Sequence, residues 1–327
     1  MANFYDTWLN FWDESVKERN QARTVIHEEE LEWVETPQDF RIALLAAPEN
    51  GFRTWGSETM VAEIPPGSHT GRHAHGEEAI YIVEGEGFSI VDGVKYGWTK
   101  GSVLWIPFGA QHQHYNTGAA TVRYFSGSAL HLEYYVGLGK LDQLEAKGSN
   151  DRPVEAPHSA DGLDSQGRRI ALRLEDAPVI TYNPDDKFKG KETGKPQVWQ
   201  STMHTHRHWR WLMDGGQTGF QNREISISNI MGEGPGEYGG KHAHMEAIIY
   251  ILEGEGHSII DDKKVPWKKG SLLHVQGPQT PHQHFNTGSI HSSLLRFAPG
   301  IRTHFFDPMA KGRFPKLWFA NKGKIGE

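Results

Sequence analysis

Residues 71–87 read GRHAHGEEAIYIVEGEG, and residues 240–256 read GKHAHMEAIIYILEGEG. A second matching pair follows, with GSVLWIPFGAQHQHYNTG at 101–118 and GSLLHVQGPQTPHQHFNTG at 270–288. The copies lie about 170 positions apart, whereas the repeats of solenoid proteins recur roughly every 20–50 residues. The sequence therefore predicts a duplicated domain, with a one-residue insertion in the second copy just before its HQH string.

The length and composition agree with two folded domains. A chain of 327 residues suits two units of about 150 residues, and a hydrophobic content of 37% excludes wholesale disorder. A net charge of −7 gives no electrostatic reason to bind nucleic acid or an anionic membrane. Cysteine is absent, which excludes disulfides, thiolate metal sites and a cysteine nucleophile, so the 19 histidines become the candidates for chemistry.

Local patterns in both copies predict β-structure. The strings AIYIVEG (79–85) and IIYILEG (248–254) are runs of β-branched and aromatic residues that end in glycine, as buried strands commonly do. Asp92 and Gly93 form a hairpin dipeptide between two further runs. Because such strands recur roughly every 8–12 residues, the sequence predicts an all-β fold of two tandem antiparallel barrels or two-sheet rolls.

Helices are predicted only at the periphery. Apolar spacing predicts an N-terminal helix over 5–20, and shorter helices are expected over 137–147 and 307–320. A stretch rich in Asp, Ser, Gly and Pro between the repeats predicts an exposed connection. The predicted division is 1–147 for the N-terminal helix and first barrel, 148–175 for the linker, and 176–327 for the second barrel with a C-terminal arm.

The ends of the chain suggest a compartment and a partner. The amino terminus lacks the basic start and apolar core of a secretory signal, and no apolar run approaches the roughly 18 residues of a membrane span. We therefore expect a cytoplasmic protein that does not bind membranes. The aromatic N-terminal helix and C-terminal arm should be sticky in isolation, so we expect them to pack on the other barrel or in a homo-oligomer.

The histidines recur in a pattern that metal sites use. Alternate residues of a strand point to the same face, so His73 and His75 project together. Each copy adds a distant third histidine on another strand, and three neutral nitrogens leave positions open for water, O₂ or substrate. The pattern predicts metal ligands at His73, His75 and His112 in the first copy and at His242, His244 and His282 in the second.

A carboxylate is a further candidate ligand. Glu78 stands seven residues before Gly85 in the first copy, whereas Ala247 stands at the matching place in the second. Glu77 and Glu246 are retained in both copies. Because a one-residue slip reverses the facing of every side chain on a strand, these two glutamates remain the alternative inward carboxylates.

Four further residues are candidates for catalytic roles. His114 and His284 lie two residues beyond the third histidines, so they could hydrogen-bond a bound oxygen or carry a proton, and ordinary core packing is the alternative. Arg123 and Arg296 lie on the following strands and could clamp a substrate carboxylate through two parallel hydrogen bonds. A surface salt bridge is the alternative for either arginine.

Two motifs carry a resemblance to a known family. The stretches G-x5-H-x-H-x2-E-x6-G at 67–85 and G-x5-P-x-G-x2-H-x3-N at 101–116 resemble the two cupin motifs, with a shorter gap before the glutamate than is usual. The resemblance covers roughly 60–130 and 225–300, and the chain is identified as a member of the bicupins. It implies two jelly-roll barrels that bind a metal, but this fold hosts several unrelated functions.

A finer resemblance concerns the activity. The strings HQHYN (112–116) and HQHFN (282–286) are similar to an element of gentisate 1,2-dioxygenase-type ring-cleaving bicupins. This resemblance implies Fe(II) held by three histidines, with alanine commonly at the glutamate position, and a hydroxylated aromatic acid (gentisate, salicylate or hydroxynaphthoate) and O₂ as substrates. The family usually works in its first barrel, whereas here the second barrel lacks the glutamate.

Two other functions remain open. A set of His73, His75, Glu78 and His112 would suit bicupins that use Mn(II) or another divalent metal, as in oxalate decarboxylases or flavonol dioxygenases. A non-catalytic bicupin that binds a small molecule is the third possibility. Complete histidine triplets in both copies argue against it, because a barrel without a metal has no need to keep them.

Overall fold

The computed structural model describes residues 3–151, 153–181, 208–214, 217–302, 317–320 and 323–326, and it consists of two β-barrels. The helices that precede the first barrel are α1 (Phe4–Leu9) and α2 (Phe11–Gln21). The predicted N-terminal helix is therefore confirmed, although it is divided at Asn10. None of the helices within the described ranges is long and apolar enough to cross a membrane.

The first barrel encloses its lumen between two sheets. Its elements are β2 (Arg41–Ala46), β3 (Glu58–Ile64), β4 (Ser68–His69), β5 (Arg72–Ala74), β6 (Glu78–Glu84), β7 (Glu86–Val91), β8 (Val94–Thr99), β9 (Val103–Ile106), β10 (His112–Asn116), β11 (Val122–Ser128), α3 (Leu130–Tyr135), β12 (Asp142–Glu145), β13 (Gly148–Ser149), β14 (His158–Ser159) and β15 (Ala171–Leu172). One sheet has the strand order β15-β9-β6-β11-β3-β2 and the other β12-β5-β10-β7-β8-β14, with β4 pairing β10 and β13.

The second barrel repeats this arrangement. Its strands are β16 (Val179–Thr181), β17 (His208–Met213), β18 (Ile225–Met231), β19 (Glu237–Tyr238), β20 (Lys241–Ala243), β21 (Ala247–Glu253), β22 (Glu255–Ile260), β23 (Lys263–Lys268), β24 (Leu272–Val275), β25 (His282–Asn286), β26 (Ser293–Pro299), β27 (Leu317–Ala320) and β28 (Gly323–Lys324), joined by β1 (Val25–Ile26). The sheets run β1-β24-β21-β26-β18-β17-β16 and β23-β22-β25-β19-β28, with β20 pairing β25 and β27. The predicted all-β fold of two jelly-roll barrels is confirmed.

The two barrels pack back to back through the outer faces of the sheets that contain β11 and β26. Phe125 on β11 lies with its ring 5.6 Å from that of Tyr250 and 6.0 Å from that of Phe297. Gly127 has no Cβ because one placed there would lie 2.3 Å from the Phe297 ring. One apolar cluster thus spans both barrels, and a separate one fills the lumen of the second. Burial of this continuous surface ties the barrels together.

Each barrel also contains a strand from the chain segment that precedes the other barrel. β1, upstream of the first barrel, pairs with β24 of the second, and β15, upstream of the second barrel, pairs with β9 of the first. β13 and β14 also join the first barrel's sheets. Three short strands within the predicted linker 148–175 therefore belong to the sheets of the first barrel, while most of the residues between them are exposed or half-buried. The division of the chain at this linker stays a prediction.

The two other segments that were predicted to form helices contain strands. Within 137–147 the chain forms β12, and the only nearby helix, α3, comes earlier; within 307–320 the last four residues form β27, while 307–316 lie outside the described residues. β12 pairs with β5 at Gln143 and His73, and β27 pairs with β20 at Trp318 and His242. Tertiary pairing beside the H-x-H strand therefore overrides the local helical spacing.

Candidate metal centres

Four side chains converge in the lumen of the first barrel. His73 on β5 lies opposite His112 on β10, with 4.3 Å between the ring centroids. The ring of His75 is 4.7 and 4.9 Å from those two rings. Glu78 opens β6 beside them, and the four residues can each offer one ligand atom within 4.8 Å of all the others. This spacing and these donors suit one divalent cation.

The hydrogen bonds around the cluster orient its donor atoms. His112 Nδ1 lies 3.0 Å from the Ala110 carbonyl oxygen, and His75 Nδ1 lies 3.1 Å from that of Gly76. If these nitrogens carry the proton, each Nε2 is left as a lone-pair donor. His112 Nε2 and Glu78 Oε2 are buried 3.3 Å apart, yet neither makes a hydrogen bond within the described ranges. Buried polar atoms without a partner are rare in proteins, and a bound metal ion would satisfy both.

The protonation states also fit a metal. Burial, helped by the neighbouring His112 and His75, lowers the pKa of His73 to about 2. Burial alone would raise the pKa of Glu78, but the adjacent imidazoles of His112 and His75 hold it well below the usual range. Burial would lower the pKa of His75, but Glu78 raises it. The shifts therefore give a neutral imidazole at His73 and an ionised carboxylate at Glu78, which are forms that coordinate metals.

The second barrel holds three histidines in the same arrangement. The ring of His282 is 4.2 Å from that of His242 and 4.6 Å from that of His244, and the three can offer atoms within 4.8 Å. His242 and His282 place Nδ1 2.9 Å from backbone carbonyl oxygens, as His112 does. Ala247 opens β21 where Glu78 opens β6, so the described residues provide no carboxylate to this cluster.

Glu77 and Glu246 are not lumen residues, and the alternative that made them the inward carboxylates is wrong. Glu77 accepts hydrogen bonds from Trp105 Nε1 at 2.6 Å and from the backbone N–H of Arg223, in the second barrel, at 3.0 Å. Glu246 accepts one from the backbone N–H of Trp55, in the first barrel, at 3.1 Å. The retained glutamates are therefore reciprocal links between the barrels.

His114 and His284 each end a buried hydrogen-bond chain. Trp98 Nε1 donates to Ser89 Oγ at 2.9 Å, and Ser89 Oγ lies 2.7 Å from His114 Nδ1. Because an indole N–H can only donate, Ser89 Oγ accepts from Trp98 and can donate its own hydrogen to His114 Nδ1. Nδ1 is then an acceptor, so the proton of the neutral histidine is on Nε2. Burial lowers the pKa of His114 to about 3 and that of His284 to about 4, so both are neutral. The second barrel repeats the chain with Trp267, Ser258 and His284.

Arg123 lies outside the lumen, so the prediction that it clamps a substrate carboxylate is wrong. Its guanidinium lies 2.6 Å from Glu63 and 2.7 Å from Glu28. The alternation of side chains along β11 explains this position. Ser126 lies on the opposite face of the strand from Arg123 and donates a hydrogen bond to Glu78 in the lumen. Arg123 therefore forms salt bridges, which is the alternative role that the sequence analysis gave for this residue.

The side chain of Arg296, unlike that of Arg123, lies on the lumen side of its sheet. It lies opposite Ile249 across the β21–β26 ladder, and Ser126 lies opposite Ile80 in the first barrel. Ile249 belongs to the apolar cluster of the second lumen, so the partly buried Arg296 faces that lumen and corresponds to Ser126 rather than to Arg123. The offset of 170 between His112 and His282, continued along the strand, gives the same match.

Sequence reasoning missed one polar pair in the first lumen. Tyr124 Oη donates to Asp39 Oδ1 at 2.9 Å, and the Tyr124 ring is 5.6 Å from that of His114. Burial raises the pKa of Asp39 to about 6. Leu294 takes the place of Tyr124 in the second barrel, so the second lumen lacks this tyrosine.

Comparison with known proteins places this architecture. A family profile described as Cupin domain matches residues 60–127 and 229–295. The protein is therefore a bicupin, a chain with two cupin barrels in tandem. Within that class its fold is similar to that of a salicylate 1,2-dioxygenase.

Two kinds of solved bicupin share the fold. Salicylate 1,2-dioxygenase from Pseudoaminobacter salicylatoxidans, in adducts with gentisate, is similar with a TM-score of 0.59 and 15% identity, over 98% of this chain and 84% of that one. A mutant of oxalate decarboxylase from Bacillus subtilis has a TM-score of 0.58 and 13% identity, over 84% of this chain and 77% of that one. At these identities the likeness concerns the fold.

One curated relative matches a short stretch. Uncharacterized protein MJ1618 from Methanocaldococcus jannaschii is 40% identical over 55 residues, which make up 17% of this chain and 43% of that protein. The match thus spans less than half of the relative. Within the described residues, the two histidine clusters could each hold a metal ion.

Proposed function

We propose that this protein is an Fe(II)-dependent dioxygenase that uses O₂ to open the ring of a hydroxylated aromatic acid of the gentisate, salicylate or hydroxynaphthoate class. The observation that carries the proposal is the second barrel, where, among the residues that the structure describes, three imidazoles converge without a carboxylate. Fe(II) bound there would supply open coordination positions for substrate and O₂ and a path for electrons between them. A metal ion bound by the first cluster would have one open coordination position fewer, because Glu78 is among the donors.

The residues of the second barrel have three further roles in the proposed reaction. His242, His244 and His282 hold the ion, each with its ring fixed by a backbone carbonyl. His284 keeps its Nε2 proton and donates a hydrogen bond to an oxygen atom of the substrate. The apolar residues that line the lumen keep water away from the reacting ring.

Replacing Ser258 with alanine tests the hydrogen-bond chain. The change removes the donor to His284 Nδ1, so the proton is no longer fixed on Nε2, and we expect kcat for the aromatic acid to fall about tenfold. Steady-state oxygen consumption measures the effect, with Ser89→Ala in the first barrel as the matched control. Equal losses in the two variants would contradict a role specific to the second barrel.

A second candidate function is favoured by the first barrel. The carboxylate of Glu78 beside three histidines suits a harder ion such as Mn(II), and the fold is also that of oxalate decarboxylase. In this alternative the protein decarboxylates or otherwise transforms a small acid without opening a ring. The four-donor cluster would then be the working site.

One experiment separates the candidates. The protein is purified anaerobically, its metals are counted by mass spectrometry, and O₂ uptake is measured with salicylate, gentisate and 1-hydroxy-2-naphthoate. We expect iron and uptake with at least one of these acids. Manganese with CO₂ release from oxalate would favour the alternative, and stoichiometric metal without turnover of any acid would favour a binding protein.

We also propose that the N-terminal helices pack against a second copy of the chain. Within the described residues α1 and α2 bury none of their side chains, and a six-residue helix is not stable alone in water. Six large apolar side chains are 57–68% exposed: Phe4, Tyr5, Trp8, Leu9, Phe11 and Trp12. They expose about 700 Å², close to the roughly 800 Å² per partner of a stable interface.

The association can be measured directly. Trp8→Ser combined with Trp12→Ser should convert an oligomer to a monomer in light scattering after size-exclusion chromatography, because the two indoles are the largest of the exposed side chains. Tyr134→Ser combined with Tyr135→Ser is the control, since these tyrosines are exposed elsewhere. A wild-type protein that is monomeric at micromolar concentration would refute the proposal.

A further inference from the structure

One peptide group beside the first metal cluster orients a histidine ligand. Its carbonyl oxygen, that of Gly76, lies 3.1 Å from His75 Nδ1. Its N–H, which belongs to Glu77, donates to Glu133 Oε1 at 3.2 Å. Because a peptide group is planar and rigid, the residue that holds its N–H also fixes the imidazole that its carbonyl contacts. Glu133 is therefore linked to the His75 ring without touching a metal ion.

Glu133 holds this peptide group from the short helix α3. Its side chain is 2% exposed and fills the space above Gly76, where a Cβ would overlap the carboxylate. Met245 stands at the place of Gly76 in the second copy, so the glycine that admits this carboxylate is found in the first barrel alone. The carboxyl of Glu224, from the second barrel, lies beside Glu133. Burial and this neighbour raise the pKa of Glu224 to about 8, so at pH 7 Glu224 is neutral and adds no charge there.

The same helix contacts the loop that reaches the second barrel. The backbone N–H of Leu132, next to Glu133 on α3, lies 3.4 Å from the Gly56 carbonyl oxygen. A Cβ on Gly56 would lie 2.8 Å from Leu132 Cβ, so helix and loop touch without a gap. The residue before this glycine, Trp55, donates its backbone N–H to Glu246 of the second barrel at 3.1 Å. A shift of α3 therefore moves Trp55.

Trp55 packs on the backbone that orients a ligand of the second cluster. Its indole lies against Gly277, where a Cβ would overlap the ring and would also lie 2.9 Å from the backbone nitrogen of Glu246. The peptide group that contains this nitrogen has the Met245 carbonyl oxygen, which faces His244 Nδ1. The arrangement repeats that of the first barrel, so the position of Trp55 affects the orientation of the His244 ring.

We propose that the two metal centres are coupled through α3, so that an ion bound in one barrel raises the affinity of the other barrel for its ion. The path runs from His75 through Glu133 to Trp55 and then to His244, and packed or hydrogen-bonded groups make every step. An ion that fixes His75 also fixes the groups along this path, so the second ion has less motion to suppress. Glu133 and Trp55 are positioning residues in this coupling. The inference requires only that both clusters bind a metal ion, and it is independent of ring cleavage.

Metal affinity measures the coupling without turnover. Metal-free, full-length protein is dialysed under nitrogen at pH 7 against Fe(II), and the bound iron is counted by mass spectrometry. His73→Ala leaves the second centre alone, and His242→Ala leaves the first. The product of the two dissociation constants of the unaltered protein should be at least about fivefold smaller than the product of the constants of these two variants, because coupling adds to the free energy of binding both ions.

Two further variants test the path. Glu133→Ala and Trp55→Ala should each bring the two products within about twofold of one another, because each removes a contact between the centres. Glu133→Gln keeps an oxygen that accepts the Glu77 N–H, so we expect it to retain the coupling. Tyr134→Ala is the matched control on the same helix, because this side chain is 78% exposed, and it should also leave the coupling unchanged.

The outcomes separate this inference from the proposed activity. Independent binding of the two ions to the unaltered protein would overturn the inference, and so would coupling that survives in Glu133→Ala or Trp55→Ala. If neither variant folds, the two residues are structural and the inference also fails. Coupled binding of iron without O₂ uptake for any aromatic acid would refute ring cleavage and leave the coupling standing. Ring cleavage by a protein whose ions bind independently would do the reverse.

Discussion

Replacing His242 with alanine is expected to abolish ring cleavage and to remove one of two bound metal ions. His242 is one of the three donors that the described part of the chain gives to this cluster, and its ring is fixed by the Gly240 carbonyl. Changing even a hydrogen-bond partner of a ligand costs about 10–100-fold in metal affinity. We therefore expect loss of a ligand itself to weaken binding at least about a hundredfold and to reduce kcat below detection.

His73→Ala is the matched control in the first barrel. It should also lower the metal content by one ion per chain, because His73 occupies the equivalent place beside His112. Turnover should survive in this variant if the working site is in the second barrel. Full activity in His242→Ala together with an inactive His73→Ala would assign the reaction to the first barrel, and activity in both would refute the ligand assignment.

Replacing Glu246 with alanine should destabilise the whole molecule. Glu246 and His274 are fully buried with 2.6 Å between Oε1 and Nε2, and the same carboxylate accepts the Trp55 N–H of the other barrel. The change removes this acceptor from the junction of the barrels and leaves the fully buried His274 without its carboxylate partner. Removing one member of such a buried pair costs about 3–5 kcal/mol.

Guanidinium chloride unfolding, followed by tryptophan fluorescence, measures this loss. Glu253→Ala is the control on the same strand, because its carboxylate is 43% exposed and pairs with Lys269 at 3.3 Å on the surface. Such exposed pairs contribute at most about 1 kcal/mol. Similar losses in both variants would mean that Glu246 does not link the barrels as the structure indicates.

Much of the fold follows from short-range patterns. The repeated β-branched runs and turn residues predict two barrels, because a strand with those residues is stable only when its face is buried. The Asp92–Gly93 dipeptide adopts the two positive φ angles, 47° and 79°, that a tight hairpin turn requires. Alternation along β5 and β20 also suffices to bring the H-x-H histidines together.

Long-range pairing lies beyond such patterns. The 148–175 segment is polar and rich in turn residues, yet it adds strands to the first barrel because sheet edges were available there. The expected helix over 137–147 contains a strand for the same reason. Whether a weakly patterned segment forms a helix, a loop or an edge strand depends on neighbours far away in the sequence.

The sequence by itself determined the duplication, the barrels, the histidine triplets and the exchange of Glu78 for Ala247. Only the tertiary structure decided which neighbour faces inward: Glu78 rather than Glu77, and Arg296 rather than Arg123. The physical reason is that alternation sorts the residues of a strand into two faces without saying which one meets the lumen. That choice is made by the register between strands and by the packing of one barrel on the other.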